Sequence, residues 1–280
     1  MLEVNFEYKK EAITFCERLI QYDKHFQIRW NSSDEFENKV QIETLKKISN
    51  QKELIALALA DVFIFHRELN WVNHIVKRNF YYTDKTEIQR IIDLTQSIIS
   101  GDDDDLGQIL KDKKPRDMLM SFFQSEWQQK KVHFDSIVNF RMQAYRKELI
   151  NVVGLAIDEF KREEEYQLFV HSLREYVAKK KSKCSVISIV QGENFTFFTS
   201  NGTEISEVEI KGIIENEPIY IVGLDKYEMN LTPLIAMAPK KIVIYGDDPS
   251  EPKTMTIVNI FQERVNYEPL INFPFFDEKI

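Results

Sequence analysis

The sequence predicts an α+β protein: a mainly helical domain over residues 1–180, with a short N-terminal β-α-β-like element, followed by a small, acidic, mixed α/β module over residues 181–280. Three observations carry that prediction. From Val138 to Val177 apolar residues recur at helical spacing, through Phe140, Tyr145, Leu149, Val153, Ile157, Phe160, Phe169, Leu173 and Val177. After the basic stretch Lys179–Lys183 the pattern changes to that of strands, beginning with CSVISIV. Seven of the eight prolines lie at or after Pro218, with Pro115 alone before it. Proline removes a backbone donor and clashes with the preceding turn, so its scarcity leaves the first part free to form long helices.

The elements follow in order. Leu2, Val4 and Phe6 alternate with Glu3, Asn5 and Glu7, a strand signal. Lys9 to Tyr22 places Ala12, Phe15, Cys16, Leu19 and Ile20 on one helix face. Phe26 to Trp30 alternates again, and the polar NSSDEFEN reads as a loop. From about Gln41 to Ser100 the spacing is helical. Its apolar run Leu54–Phe65 holds twelve residues with Asp61 inside, too short to cross a bilayer and suited to a buried core helix. A cap falls at Thr83 or Asp84, and only Asp84 stands at capping-box distance from Glu87. Ile88, Ile91, Ile92, Ile98 and Ile99 form the apolar side of that helix, and Gly101 ends it. Pro115 permits a new start with Asp117 as cap, and helix resumes through Phe122, Trp127 and Phe134. Gly154 marks a bend or a close contact.

Past the hinge, CSVISIV and NFTFFTS read as a hairpin through Gln191-Gly192-Glu193, and Asn201-Gly202 as a tight turn. EVEIKGII is a third strand or a short helix. PIYIVGL (Pro218–Leu224) and KKIVIYG read as strands, TPLIAMA and KTMTIVNIFQ as helices, and ERVNY as a closing strand. This alternation implies a small layered sheet, whose edge Leu2–Glu7 is expected to join.

Charge is unevenly placed. Residues 184–280 hold 7 Lys+Arg against 15 Asp+Glu, whereas the preceding part is neutral. An acidic module is a poor phosphate-backbone surface, because such binding needs clustered cations. In the helical part Lys111–Arg116 (KDKKPR) reads as a solvated loop. Two cysteines, Cys16 and Cys184, are too few for a disulfide scaffold or a zinc motif and suit a reducing, cytoplasmic setting. The start MLEVNFEYKK lacks the basic-then-apolar layout of a signal peptide.

Few residues nominate chemistry. His66 and His74 stand eight apart with Asp61 and Glu68 nearby, but a helical metal pair favours spacing of four. Asp102–Asp105 lacks the alternating ligands of a calcium loop, and Glu163-Glu164-Glu165 reads as a solvated face. There is no GxxxxGK[ST], GxGxxG or GxSxG motif. No catalytic, cofactor-binding or metal-ligating residue is therefore assigned. In the tail, Phe273, Phe275 and Phe276 flank Pro274 and are expected to dock on the module itself.

Three segments do point to a family. FRMQAYRKELINVVGLAIDEF (Phe140–Phe160), EEEYQLFVHSLREYV (Glu163–Val177) and LTPLIAMAPKKIVIYG (Leu231–Gly246) resemble the YtxC-like sporulation proteins of endospore-forming bacteria. The resemblance is strongest over Phe134–Val190 and Leu231–Gly246 and weak before Gln51. It implies a cytoplasmic, sporulation-associated protein that works through a protein partner; the short apolar runs and the missing motifs add the expectation of no membrane span and no recognisable catalytic motif. Two alternatives stay open: a hydrolase-like enzyme with a spatially assembled site, and a nucleic-acid-associated factor.

Overall fold

The computed structural model describes residues 2–32, 38–44, 50–101, 115–125, 131–225 and 227–275. The protein is α+β, and its chain divides into two compact units, Met1–Arg162 and Glu163–Ile280.

The first unit opens with β1 (Leu2–Phe6), α1 (Lys9–Tyr22), β2 (Phe26–Ser32) and β3 (Asn38–Thr44). A helical run follows: α2 (Gln51–Phe63), a π-turn (Ile64–Glu68) and α3 (Leu69–Arg78). Then come α4 (Lys85–Ser100), α5 (Pro115–Ser125), β4 (Lys131–His133), α6 (Phe134–Phe140) and the start of α7 (Gln143–Lys179). The sheet order is β2-β3-β1-β4. Val4 is opposite Val40 in an antiparallel pair and Val132 in a parallel one. Both of its edges are thus paired, and its inward face meets Ala12, Phe15 and Leu19 of α1 in one core. The expectation that Leu2–Glu7 joins the C-terminal sheet is corrected: β1 is an inner strand of the first sheet. The helical reading from Gln41 onward is corrected too, since Asn38–Thr44 is a strand paired on both sides. Val40 and Ile42 alternate at period two and are buried between the two partner strands, and that tertiary pairing overrides the local helical spacing.

The run Leu54–Phe65 lies in α2 and the π-turn, with Ile55, Leu59, Val62 and Phe63 buried. Asp84 is the cap of α4, its carboxylate accepting from the Thr86 and Glu87 amides at 2.8 and 3.0 Å. Gly101 closes that helix with φ 72°, a conformation cheap only for glycine. α5 begins at Pro115, two residues before the expected cap Asp117. The long helix is shorter than its pattern: α6 ends at Phe140, and α7 starts at Gln143. Phe140, read as part of the buried stripe, is 78% exposed at that break. At Gly154 the helix is continuous, and an added Cβ would lie 3.7 Å from Phe80, an ordinary contact.

The second unit takes the end of α7, where Val170, Leu173 and Val177 enter its core rather than that of the first unit. β5 (Val186–Val190), β6 (Thr196–Thr199), α8 (Glu207–Glu215), a 3₁₀ turn (Ile219–Val222), α9 (Thr232–Met237), β7 (Lys241–Gly246), α10 (Pro252–Phe261) and β8 (Val265–Pro269) complete it. The sheet order is β6-β5-β7-β8, with β5 and β6 antiparallel and β5, β7 and β8 parallel. EVEIKGII resolves as a helix with a full capping box between Ser206 and Glu209. PIYIVGL is not a strand. Pro218 fixes one end, Gly223 turns at φ 73°, and of the four 3₁₀ residues only Ile219 is fully buried. Phe273 docks on its own unit against Phe198 and Tyr245, as expected of the tail, whereas Phe276 lies outside the described residues.

Candidate functional site

The π-turn is the least ordinary part of the first unit. A π-turn inserts one extra residue into a helix, turns the side chains that follow, and recurs at functional sites. Here it aims three consecutive polar residues, His66, Arg67 and Glu68, at three separate surroundings.

Arg67 faces α1 and α6. Its guanidinium donates to both carboxylate oxygens of Glu11, to Oε1 through Nε and to Oε2 through Nη2 at 3.1 Å, and to Asp135 Oδ1 at 2.7 Å. The other Asp135 oxygen accepts the Glu7 amide at 2.9 Å, and the Tyr8 ring covers the guanidinium at 4.7 Å. Glu11 is fully buried, so burial raises its pKa while Arg67 works the other way. Burial also opposes the charge of Arg67, but Glu11 and Asp135 outweigh it and hold the guanidinium protonated. This fork ties α1, the π-turn and α6 together.

Glu68 faces the opposite way, toward α7. It accepts the hydroxyl hydrogen of Tyr145, whose ring is fully buried against Phe63. Burial raises the Glu68 pKa, and the Tyr145 hydrogen bond only partly offsets that. The Tyr145 phenol is itself pushed up by burial and by the Glu68 charge, so it stays a donor. The pair opens onto a cavity of about 370 Å³ whose wall is mainly apolar, from Ile64, Ile99 and Leu119, with exposed Gln96 beside them. A half-buried acid and a buried phenol in an apolar hollow of that size have the make-up of a ligand site.

The four residues that stand near one another in sequence do not converge. His66 Nε2 meets Thr14 Oγ1 at 2.9 Å, and burial together with Lys10 and Arg67 lowers its pKa. Asp61 accepts from Tyr22 and lies 3.7 Å from Arg18. His74 lines a separate polar hollow with Asn70, Asn139 and Arg146. Among the described residues no three His, Cys, Asp or Glu side chains are grouped to hold a metal ion. Cys16 and Cys184 are free thiols, each half-buried, and burial pushes Cys16 up to about 11. Asp102–Asp105 and Lys111–Lys114 lie outside the described residues.

Sequence reasoning missed Arg67, Glu11 and Asp135 entirely, and it missed Tyr145 as anything but core. The partners of Arg67 are 56 and 68 residues away from it, and no local spacing reports that. It also missed a polar knot at the ends of the parallel strands. Gln191 donates to Asp248 O at 2.8 Å and Thr254 Oγ1 at 2.6 Å, and accepts from Tyr267 at 3.2 Å. Gly246 makes room for that amide: a Cβ there would lie 1.7 Å from Gln191 Oε1.

A family model described as the YtxC-like family matches residues 53–266. The chain belongs to the YtxC-like family. The matched span contains Arg67, Glu68, Tyr145, Gln191 and Gly246, and leaves Glu11 before it. A Bacillus subtilis (strain 168) protein, "Uncharacterized protein YtxC", is 30% identical over 286 residues, covering 98% of this chain and 96% of that one. No solved structure matches. Among the described residues no helix is long and apolar enough to cross a membrane.

Proposed function

We propose that this YtxC-like protein is a cytoplasmic, sporulation-associated protein that acts by binding a protein partner. The observation that carries this reading is the segment Ile219–Tyr227 of the second unit. Tyr220, Ile221 and Tyr227 are 71%, 66% and 85% exposed. Large side chains so far out of a core are the usual anchors of protein interfaces. The turn that carries Tyr220 and Ile221 is anchored: Ile219 is buried in the core of the unit, its amide donates to Glu217 O at 2.9 Å, and the Gly223 amide returns to Tyr220 O at 3.2 Å. A pre-formed apolar knob loses little entropy on binding. Exposed Asp225 and Glu215 stand in the same acidic module, so the partner surface that fits is an apolar groove with a basic rim.

The test is affinity purification of the full chain from cells entering sporulation, beside a Tyr220→Ser/Tyr227→Ser variant. The reading expects one stoichiometric protein that the wild type retains, that the variant loses at unchanged melting temperature, and that high salt releases faster. Equal capture by the variant, or capture indifferent to salt, sinks it.

A further inference from the structure

The cavity beside Glu68 holds a half-buried carboxylate that no cation among the described residues meets. A carboxylate taken out of water is costly unless a cation or several donors meet it. Among the described residues Glu68 has one hydrogen-bond partner, the Tyr145 hydroxyl, and no Lys, Arg or His acts on it. The adjacent Arg67 is committed to Glu11 and Asp135 on the other side. The contrast with Glu11 is direct. Glu11 is fully buried and Glu68 half-buried, both are raised by burial, and among the described residues only Glu11 has a guanidinium. Beside Glu68, where the described residues supply no counter-charge, lies a cavity of about 370 Å³.

We propose that this cavity binds a small organic cation, a primary alkylammonium, with Glu68 as its anionic anchor and Ile64, Ile99 and Leu119 against its alkyl part. The shape of the site selects this class. One carboxylate with an acceptor-only oxygen suits an N–H donor of positive charge. The mainly apolar wall suits a hydrocarbon stem and, among the described residues, offers no second carboxylate for a divalent metal. The Tyr145 hydroxyl fixes one oxygen of Glu68 and leaves the other to the ligand. Pairing with the ammonium removes the cost of the lone charge, so binding draws its energy from both the ion pair and the buried stem. The proposal is independent of the partner-binding reading, which concerns the second unit.

The probe is n-butylammonium added to the full chain, followed by calorimetry and by Trp fluorescence melting. All three tryptophans, Trp30, Trp71 and Trp127, lie in the first unit, so the optical signal reports the unit that holds the cavity. n-Butanol and butyrate serve as neutral and anionic isosteres. The expected result is saturable binding of butylammonium with a raised melting temperature, and none with the two isosteres. Glu68→Gln keeps the size and the acceptor for Tyr145 but removes the charge, and is expected to weaken butylammonium by about thirtyfold or more. Ile99→Trp fills the space and is expected to abolish binding even where Glu68→Gln fails to fold. No saturable binding to the wild type, equal binding of butanol, or full retention in either folded variant overturns the proposal.

Discussion

Replacing Arg67 by Met tests whether the buried fork holds the first unit together. The Met stem fills most of the space of the Arg chain but leaves the Glu11 carboxylate, 0% exposed, without the guanidinium that donates to both its oxygens. Removing one partner of a buried pair costs about 3–5 kcal/mol, because the other charge stays behind unpaired. A unit of this size loses about 2–4 °C of melting temperature per kcal/mol, so the transition should fall by about 6–20 °C. Trp fluorescence isolates the effect, since the tryptophans all lie in Met1–Arg162. Part of the loss returns in acid. Burial already raises the Glu11 pKa, and without Arg67 the carboxyl takes its proton higher still, so the variant's deficit shrinks as pH falls through that titration. The double variant Glu11→Gln/Arg67→Met removes the stranded charge and should recover most of the stability. The reasoning is refuted by a single variant within 1 °C or so of wild type, roughly the error of the measurement against the expected fall. A double variant no better than the single one refutes it as well.

Glu68→Gln should stabilise the ligand-free chain at neutral pH. A carboxyl whose folded pKa is raised contributes stability that is lost as pH rises from its unfolded value through its folded one, so the gain should grow with pH across that window; a gain that is flat or falling with pH contradicts the burial argument. Among the described residues Tyr145 is the titratable group that acts on Glu68, and it remains protonated throughout. Gly246→Ala should destabilise the second unit by about 1–3 kcal/mol, because its Cβ meets the fixed Gln191 amide. Adding Gln191→Ala should then cost less than the sum of the singles in chemical unfolding followed by circular dichroism. Native Cys16 and Cys184 should react with iodoacetamide at pH 8 far more slowly than the unfolded chain, since burial raises both thiols; equal rates would show that the half-burial does not protect them.

Much of the fold was legible because its elements are local. α1, α2, α4, β5, β7 and α10 all announce themselves through periodicity, caps or buried apolar runs. What was not legible depends on distant partners. β4 is three residues long, too short for a pattern, and exists because β1 offers it an edge. β3 reads as helix from Gln41 onward until β2 and β1 are placed on either side. The Pro218–Leu224 stretch has strand composition, yet a proline and a positive-φ glycine fold it into a single turn. The candidate site fails in the same way. Glu68 and Tyr145 are 77 residues apart, and a glutamate in a helical pattern looks solvated until a tyrosine is found on top of it.

The π-turn explains why neighbouring residues can serve opposite purposes, and it can be tested by removing it. In an unbroken α-helix successive side chains are turned by about 100°. The extra residue in Ile64–Glu68 resets that phase. Arg67 then reaches Glu11 while α3 still buries Val72, Ile75 and Val76. Phe65 is the residue to delete, since its side chain is 70% exposed and contributes little to the core. Phe65→Ala should stay within about 0.5 kcal/mol of wild type, as exposed substitutions do. Deleting Phe65 returns the helix to α phase and turns Arg67 and Glu68 relative to α2 by about 100°. Either the polar contacts or the buried face of α3 must then be lost. The deletion should therefore cost at least as much as Arg67→Met and abolish any butylammonium binding. A deletion variant as stable as Phe65→Ala would mean that the turn is a tolerated insertion and sets no register.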